Sequence, residues 1–256
     1  MAFVQWDPAV YLRRAPERSR PFVELVARIG ADPGEVRAVV DLGCGPGTLT
    51  ATLADRYPAA TITGLDSSAA MIADAPAGDR LTFGVVDATT WRPAATDDVV
   101  VSNAMLQWIP GHADLVTEWA TALHPGAWLA FQVPGNYDAP SHVAVRELKR
   151  QRHLTTDEPG PVLDPAGYAE RLPGCAVDAW ETTYLHHLPS DGDAHPVRTW
   201  LEGTTLRPVV AALPADEYAD FAAALDDRLH TDYPVAGGHA RYPFRRVFLV
   251  AATPRP

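Results

Sequence analysis

Short apolar runs recur through the first half of the chain, at Ala38–Leu42, Thr61–Leu65, Leu81–Val86, Val99–Ser102 and Trp128–Val133. Each is strand-length, and stretches with helical spacing separate them, near Leu49–Arg56, Ala69–Ala75 and Ala113–Leu123. Alternation of this kind predicts a parallel, doubly wound α/β sheet, because each crossover helix covers one face of the strands it joins. Ahead of the first strand, Phe22, Val23, Val26 and Ile29 form an apolar stripe over Glu17–Ile29, with Ser19 and Pro21 suited to a helix start. After Pro134 the rhythm changes. Helical Ser141–His153, a strand over Val177–His187, helical material across His195–Leu229 and a final strand Phe244–Ala252 are expected. The residues from Pro189 to Gly238 interrupt two late strands, so 189–238 reads as a helical cap insertion within one domain covering 1–256.

Composition narrows the function. Hydrophobic residues make up 47% of the 256 and charged residues 21%, which fits a globular domain with one core. No apolar run spans a bilayer and the first residues lack a signal-peptide pattern, so a soluble cytoplasmic protein, without membrane contact, is expected. The net charge of −11 repels polyanions, which disfavours nucleic acid as a partner. Lys149 is the sole lysine, so every other side-chain cation is arginine, whose planar fork suits carboxylates. Two cysteines, Cys44 and Cys175, are too few for a disulfide scaffold. No metal requirement is indicated, and the expected assembly is a monomer or small homo-oligomer.

The most informative stretch is Val39-Val40-Asp41-Leu42-Gly43-Cys44-Gly45-Pro46-Gly47-Thr48, a buried strand running into a glycine-rich turn. Glycines at alternate positions let backbone N–H groups and a helix N-terminus approach a nucleotide-like ligand closely. About 20 residues later, where a ribose-binding carboxylate is expected, the second strand ends in Asp66. Asp66 with Ser67 and Ser68 also suits a helix cap, and both readings stand. The spacing Gly43-x-Gly45-x-Gly47 departs from the G-x-G-x-x-G of dinucleotide sites, which argues against NAD. Asn103 to Trp108 follow the fourth strand, at the edge where open parallel sheets bind ligands.

This arrangement resembles motif I of the class I S-adenosylmethionine-dependent methyltransferases. The resemblance implies a Rossmann-like seven-stranded sheet with its last strand antiparallel. It further implies that the turn Gly43, Cys44, Gly45 and Gly47 backs the methionine portion of S-adenosylmethionine and that Asp66 grips the ribose hydroxyls. Asp87, with Ala88 beside it, then meets the adenine amino group. Asp41 holds the turn and orients the ligand's amino group; Ser67 and Asn103 complete the cofactor set. Met71 packs either on adenine or in the core.

A narrower resemblance, to the trans-aconitate 2-methyltransferase family, rests on Trp6-Asp7-Pro8, Glu17-Arg18-Ser19-Arg20-Pro21, Asp66-Ser67-Ser68, Leu106-Gln107-Trp108, Thr199-Trp200, Leu206-Arg207-Pro208 and Tyr242-Pro243-Phe244. It implies esterification of one carboxylate of a tricarboxylate. A carboxylate with a pKa near ~4 is already ionised at neutral pH, so no histidine or other base is needed and catalysis is positional. His112, His142, His186 and His187 are read as structural or surface residues. The carboxylates that do not react need local cations. Arg18 and Arg20 lead, with Gln5 and Tyr11 as neutral donors from a segment, 1–30, that folds over the cofactor in this class. A solvated helix face is the other reading of these arginines. Gln107 and Trp108 line the same pocket, or Trp108 packs in the core; Trp200, Arg207, Tyr242 and Arg245 follow from the cap and last strand.

Other readings remain open. Another small-acid or hydroxyl methyltransferase would share the cofactor site. An NAD(P)-dependent oxidoreductase would want a Tyr-x-x-x-Lys pair, but Val145 stands four residues before Lys149. A silent binder of the cofactor would turn over no acid.

Overall fold

In the computed structural model, residues 15–255 are described, with side chains from Ser19 onward. The elements run α1 (Ala15–Ala27), β1 (Ala38–Leu42), α2 (Thr48–Arg56), β2 (Thr61–Asp66), α3 (Ala69–Ala73), β3 (Leu81–Val85), β4 (Val99–Asn103), a 3-10 turn Leu106–Trp108, α4 (His112–Ala122) and β5 (Trp128–Pro134). There follow α5 (Pro140–Gln151), α6 (Pro165–Ala169), β6 (Ala176–Pro189), α7 (Pro196–Glu202), α8 (Arg207–Ala212), α9 (Ala215–Asp232), β7 (Val235–Ala236) and β8 (His239–Ala252).

The sheet order is β3-β2-β1-β4-β5-β8-β6. Strands β1 to β5 pair in parallel, as the α/β alternation requires. The last strands are antiparallel, and the two-residue β7 pairs with β8 as an eighth strand that the sequence reading did not include. At the middle of the parallel run, β1 has Val39 through Leu42 all buried, because β2 and β4 flank it and both faces are covered. Asp41 is carried into that environment at 2% exposure.

The chain divides into two compact units. The larger takes in residues up to Pro134, 163–181 and the end of the chain from Val247. It holds the parallel strands, and α1 packs on β4 and β5 there, with its Phe22 and Leu25 buried and Ile29 just beyond it buried as well. The smaller gathers Gly135–Val162 and Thr182–Arg246, and so includes residues 189–238 together with α5. Its own core centres on Trp200, Phe221, Leu225, Leu229 and Tyr242, where α9 packs on α5 and α7.

Several boundaries differ from expectation for physical reasons. Strand β8 begins at His239, five residues before the apolar run at Phe244 that the sequence reading used. From His239 to Phe244 burial alternates, so polar residues and Pro243 obscure the strand; from Arg246 to Ala251 burial is continuous. The helical region His195–Leu229 resolves into α7, α8 and α9, each opening at or next to a proline: Pro196, Pro208 and Pro214. Among the described residues no helix is long and apolar enough to cross a membrane.

Candidate active site

The glycine turn leaves β1 in left-handed backbone, with φ of 80° at Gly43, 57° at Gly45 and 72° at Gly47. The three positions differ in what a side chain would meet. A Cβ on Gly43 would lie 2.5 Å from Met105 and one on Gly47 2.4 Å from Phe83, whereas a Cβ on Gly45 would meet nothing within 4 Å. Packing therefore requires Gly43 and Gly47, while Gly45 borders open space.

Backbone hydrogen bonds lace the turn to the end of β2. Gly43 and Cys44 both donate to the Leu65 carbonyl, at 2.7 and 3.1 Å. Asp66 accepts from the Gly45 N–H at 2.9 Å through Oδ2 and from the Ser68 N–H at 2.8 Å through Oδ1. The cap of α3 is Ser68, whose hydroxyl accepts from Met71 N, so Asp66 is a turn carboxylate rather than the cap itself. Burial raises the Asp66 pKa against the pull of these N–H groups. Ser67 is exposed and Met71 is 2% exposed, in the core.

Behind the turn, Thr50 on α2 donates to Asp41 Oδ2 at 2.6 Å. Burial pushes Asp41 up to about 7, the Thr50 hydroxyl opposes this, and the Asp66 charge adds to it. Burial first, then the same two carboxylates, drive the Cys44 thiol far above its ordinary value, so it stays neutral within the turn. At the end of β3, Asp87 is exposed and accepts from both the N–H and the hydroxyl of Thr89, which lower its pKa. Ala88 beside it is half-buried.

Strand β4 ends in Asn103, followed by Ala104 at a φ of 57°, a left-handed conformation unusual for a residue with a Cβ. Ala104 is pinned there: its N–H donates to Gln132 O at 2.8 Å and its carbonyl accepts from Gln107 Nε2 at 2.6 Å. Asn103 Oδ1 and Gln107 Oε1 are buried with no hydrogen-bond partner among the described residues. Gln107 is buried and Trp108 half-buried. The larger unit thus brings Asp41, the glycine turn, Asp66 and Asn103 onto adjacent strand ends, β2-β1-β4, at the carboxyl edge of the sheet.

The remaining acid-binding expectations divide. Gln5 and Tyr11 lie outside the described residues, and Arg18 belongs to α1 with its side chain likewise outside them. Arg20 is 65% exposed and pairs with Glu24 at 2.8 Å along the helix. In the smaller unit, Trp200 and Tyr242 meet edge to face with centroids 6.1 Å apart. Arg207 opens α8 and is 9% exposed. Arg245 takes another environment: its N–H donates to Asn136 Oδ1 at 2.9 Å, its carbonyl accepts from Asn136 Nδ2, and its guanidinium reaches Gly135 O.

Sequence reasoning missed Thr50, which stands out only through its bond to Asp41, and Arg246, which shares strand parity with Tyr242. It also missed the polar chain of Ser141 and Thr205 around His142. His112 and His142, read as structural or surface, are both buried; His112 Nε2 lies 2.6 Å from the Tyr168 hydroxyl.

Residues 11–177 match the family model described as a methyltransferase domain. The chain is 46% identical to the trans-aconitate 2-methyltransferase of Streptomyces avermitilis over 98% of its own length and 97% of that protein's. It is 50% identical to the enzyme of that name from a Mycobacterium species, with 97% and 99% covered. Among solved structures, the phosphoethanolamine N-methyltransferase 2 of Haemonchus contortus bound to S-adenosyl-L-methionine superposes with a TM-score of 0.56 at 17% identity, a likeness of fold. It covers 92% of this chain, which spans about half (53%) of that structure. With a methyltransferase model over most of its length and near-full-length relatives at this identity, the chain belongs to the trans-aconitate 2-methyltransferase family.

Proposed function

We propose that the chain transfers a methyl group from S-adenosylmethionine to one carboxylate of trans-aconitate, giving the monomethyl ester and S-adenosylhomocysteine. The observation that carries this reading is the 46–50% identity to trans-aconitate 2-methyltransferases across nearly the whole chain. When bound, S-adenosylmethionine supplies an electrophilic methyl on a positively charged sulfur.

The residues of the larger unit fit that donor. Gly45 leaves open space beside N–H groups where an L side chain would intrude. The Asp66 carboxylate has lone pairs beyond its two backbone bonds for ribose hydroxyls, and Asp87 stands exposed at the end of β3 for the adenine amino group. Asp41 and the acceptor oxygens of Asn103 and Gln107 offer negative potential to a cation. Cys44, Ser67 and Ala88 complete that set as lining, and Met71 supports it from the core.

On the acid side, the substrate is an anion at neutral pH and attacks without a base, so the chain's task is to hold it in line and keep water out. In the smaller unit Arg207 supplies a buried cation and Arg245 a further one at Asn136, with Trp200 and Tyr242 contributing from its core; in the larger unit Trp108 offers a half-buried indole. Gln5, Tyr11, Arg18 and Arg20 extend the set from the segment ahead of β1. We further propose a cytoplasmic monomer or small homo-oligomer that does not bind nucleic acid. Comparing kcat/KM for trans-aconitate, a dicarboxylate, a monocarboxylate and a neutral alcohol tests the reading. Preference should follow carboxylate number, and a preferred neutral acceptor would overturn it.

A further inference from the structure

Along β8, side chains at 242, 244 and 246 share one face while 241, 243 and 245 share the other. Tyr242 and Arg245 therefore leave that strand on opposite faces. The first face is the buried one: Tyr242 is 0% exposed, Phe244 6% and Arg246 4%, whereas Arg241 is exposed. The Arg246 guanidinium lies 4.9 Å from the centre of the Phe244 ring; burial raises the Tyr242 hydroxyl pKa, and the Arg246 charge opposes that rise.

From Tyr242 a hydrogen-bonded chain leads across the smaller unit. Its hydroxyl lies 3.1 Å from Ser141 Oγ, Ser141 Oγ lies 3.2 Å from His142 Nδ1, and His142 Nε2 lies 3.3 Å from Thr205 Oγ1. Two residues beyond Thr205 is Arg207, the other buried arginine among the described residues of this unit. Burial, with the Arg146 charge adding to it, presses His142 down to about 4, so at neutral pH the linking imidazole is uncharged. Among the described residues of this unit, Arg246 and Arg207 are the buried guanidiniums, and two is the number needed for the two carboxylates of a tricarboxylate that do not react; Arg146, half-buried, lies instead over the Tyr137 ring. Both arginines have polar or ring partners within the fold, and an incoming acid adds to those contacts or exchanges with them.

We infer that Arg246, together with Arg207, recognises the non-reacting carboxylates of the acid, and that the Tyr242–Ser141–His142–Thr205 chain positions the two guanidiniums. This rests on the polycarboxylate reading given above. A guanidinium held out of water keeps its attraction for a carboxylate unscreened and presents a planar fork that lysine lacks.

The test reads trans-aconitate affinity directly, by calorimetry with S-adenosylhomocysteine present, so that it does not depend on turnover. Arg246→Gln should weaken trans-aconitate binding about 30-fold, as loss of a charge-assisted bond implies, and leave S-adenosylhomocysteine affinity unchanged. Arg246→Lys should lie between, since it keeps the charge and loses the fork; it also serves if the Gln variant fails to fold. A monocarboxylate should bind the wild type and Arg246→Gln within about threefold of each other, whereas a purely structural role would weaken both acids equally. Arg241→Gln, exposed on the opposite face, should behave as wild type. Unchanged trans-aconitate affinity in a folded Arg246→Gln protein, or the loss appearing in Arg245→Gln instead, would overturn the inference. A wild type that binds the acid but makes no ester would instead count against the proposed activity.

Discussion

Thr50 donates its hydroxyl to the buried carboxylate of Asp41 across 2.6 Å, joining the helix after the glycine turn to the strand before it. Asp41 sits at about 7 because burial outweighs that hydrogen bond. Folded Asp41 keeps a proton that unfolded Asp41 releases at its ordinary value of 3.8. Its contribution to stability is therefore full below about pH 4, falls as pH rises toward about 7, and is flat above that. Asp41→Asn, which cannot ionise, should show a smaller fall in Tm than wild type between about pH 4 and about pH 8. Melting curves across that range check this, and parallel profiles would contradict it.

Ionised Asp41 also favours a cation nearby. Wild-type preference for S-adenosylmethionine over the uncharged-sulfur product should grow as pH passes about 7, and Asp41→Asn should lose that growth. Paired calorimetric titrations of the two ligands at a series of pH values measure it.

The three glycines of the turn are not equivalent. Gly43→Ala drives a Cβ to 2.5 Å from Met105 as well as imposing a left-handed φ, and should cost about 2–4 kcal/mol of stability. Gly45→Ala meets no protein atom within 4 Å, so it should cost only about 1–2 kcal/mol of backbone strain. Its larger effect should be on S-adenosylmethionine, with affinity lowered more than about tenfold because the new methyl enters the ligand's space. Denaturant unfolding and calorimetry separate the two, and a Gly45→Ala protein that binds as tightly as wild type would count against the turn as cofactor cradle.

Ala104 holds a φ of 57° between two hydrogen bonds. Ala104→Gly relieves about 1–2 kcal/mol of left-handed strain against about 0.4–1 kcal/mol of added unfolded-state entropy, and should leave stability equal or slightly higher. Ala104→Val, β-branched at positive φ, should lose more than about 2 kcal/mol. Thermal unfolding of both variants decides this.

Much of the larger unit was legible because its cues are local. Asp41, Gly43, Gly45, Gly47 and Asp66 stand at strand ends that apolar runs already delimit, and the parallel run of β1 to β5 follows from alternation, whereas their spatial order is not written in it. The acid-binding side was less legible because strand parity is invisible where burial alternates. Tyr242 and Arg245 share one strand but not one face of it, and Arg246, adjacent in sequence, is the arginine that shares the Tyr242 face. Thr50, Ser141 and Thr205 escaped notice because a hydroxyl has no sequence signature; each matters only through a partner 9, 101 or 63 residues away.

The central claim is that an ionised carboxylate of trans-aconitate takes the methyl group. Incubation with methyl-labelled S-adenosylmethionine, followed by mild alkali, tests it most directly, because a carboxyl ester releases its methyl as methanol while an ether or amine does not. Label transferred to trans-aconitate and recovered wholly as methanol is the result this account predicts; label retained after alkali, or no transfer to the acid at all, would contradict it.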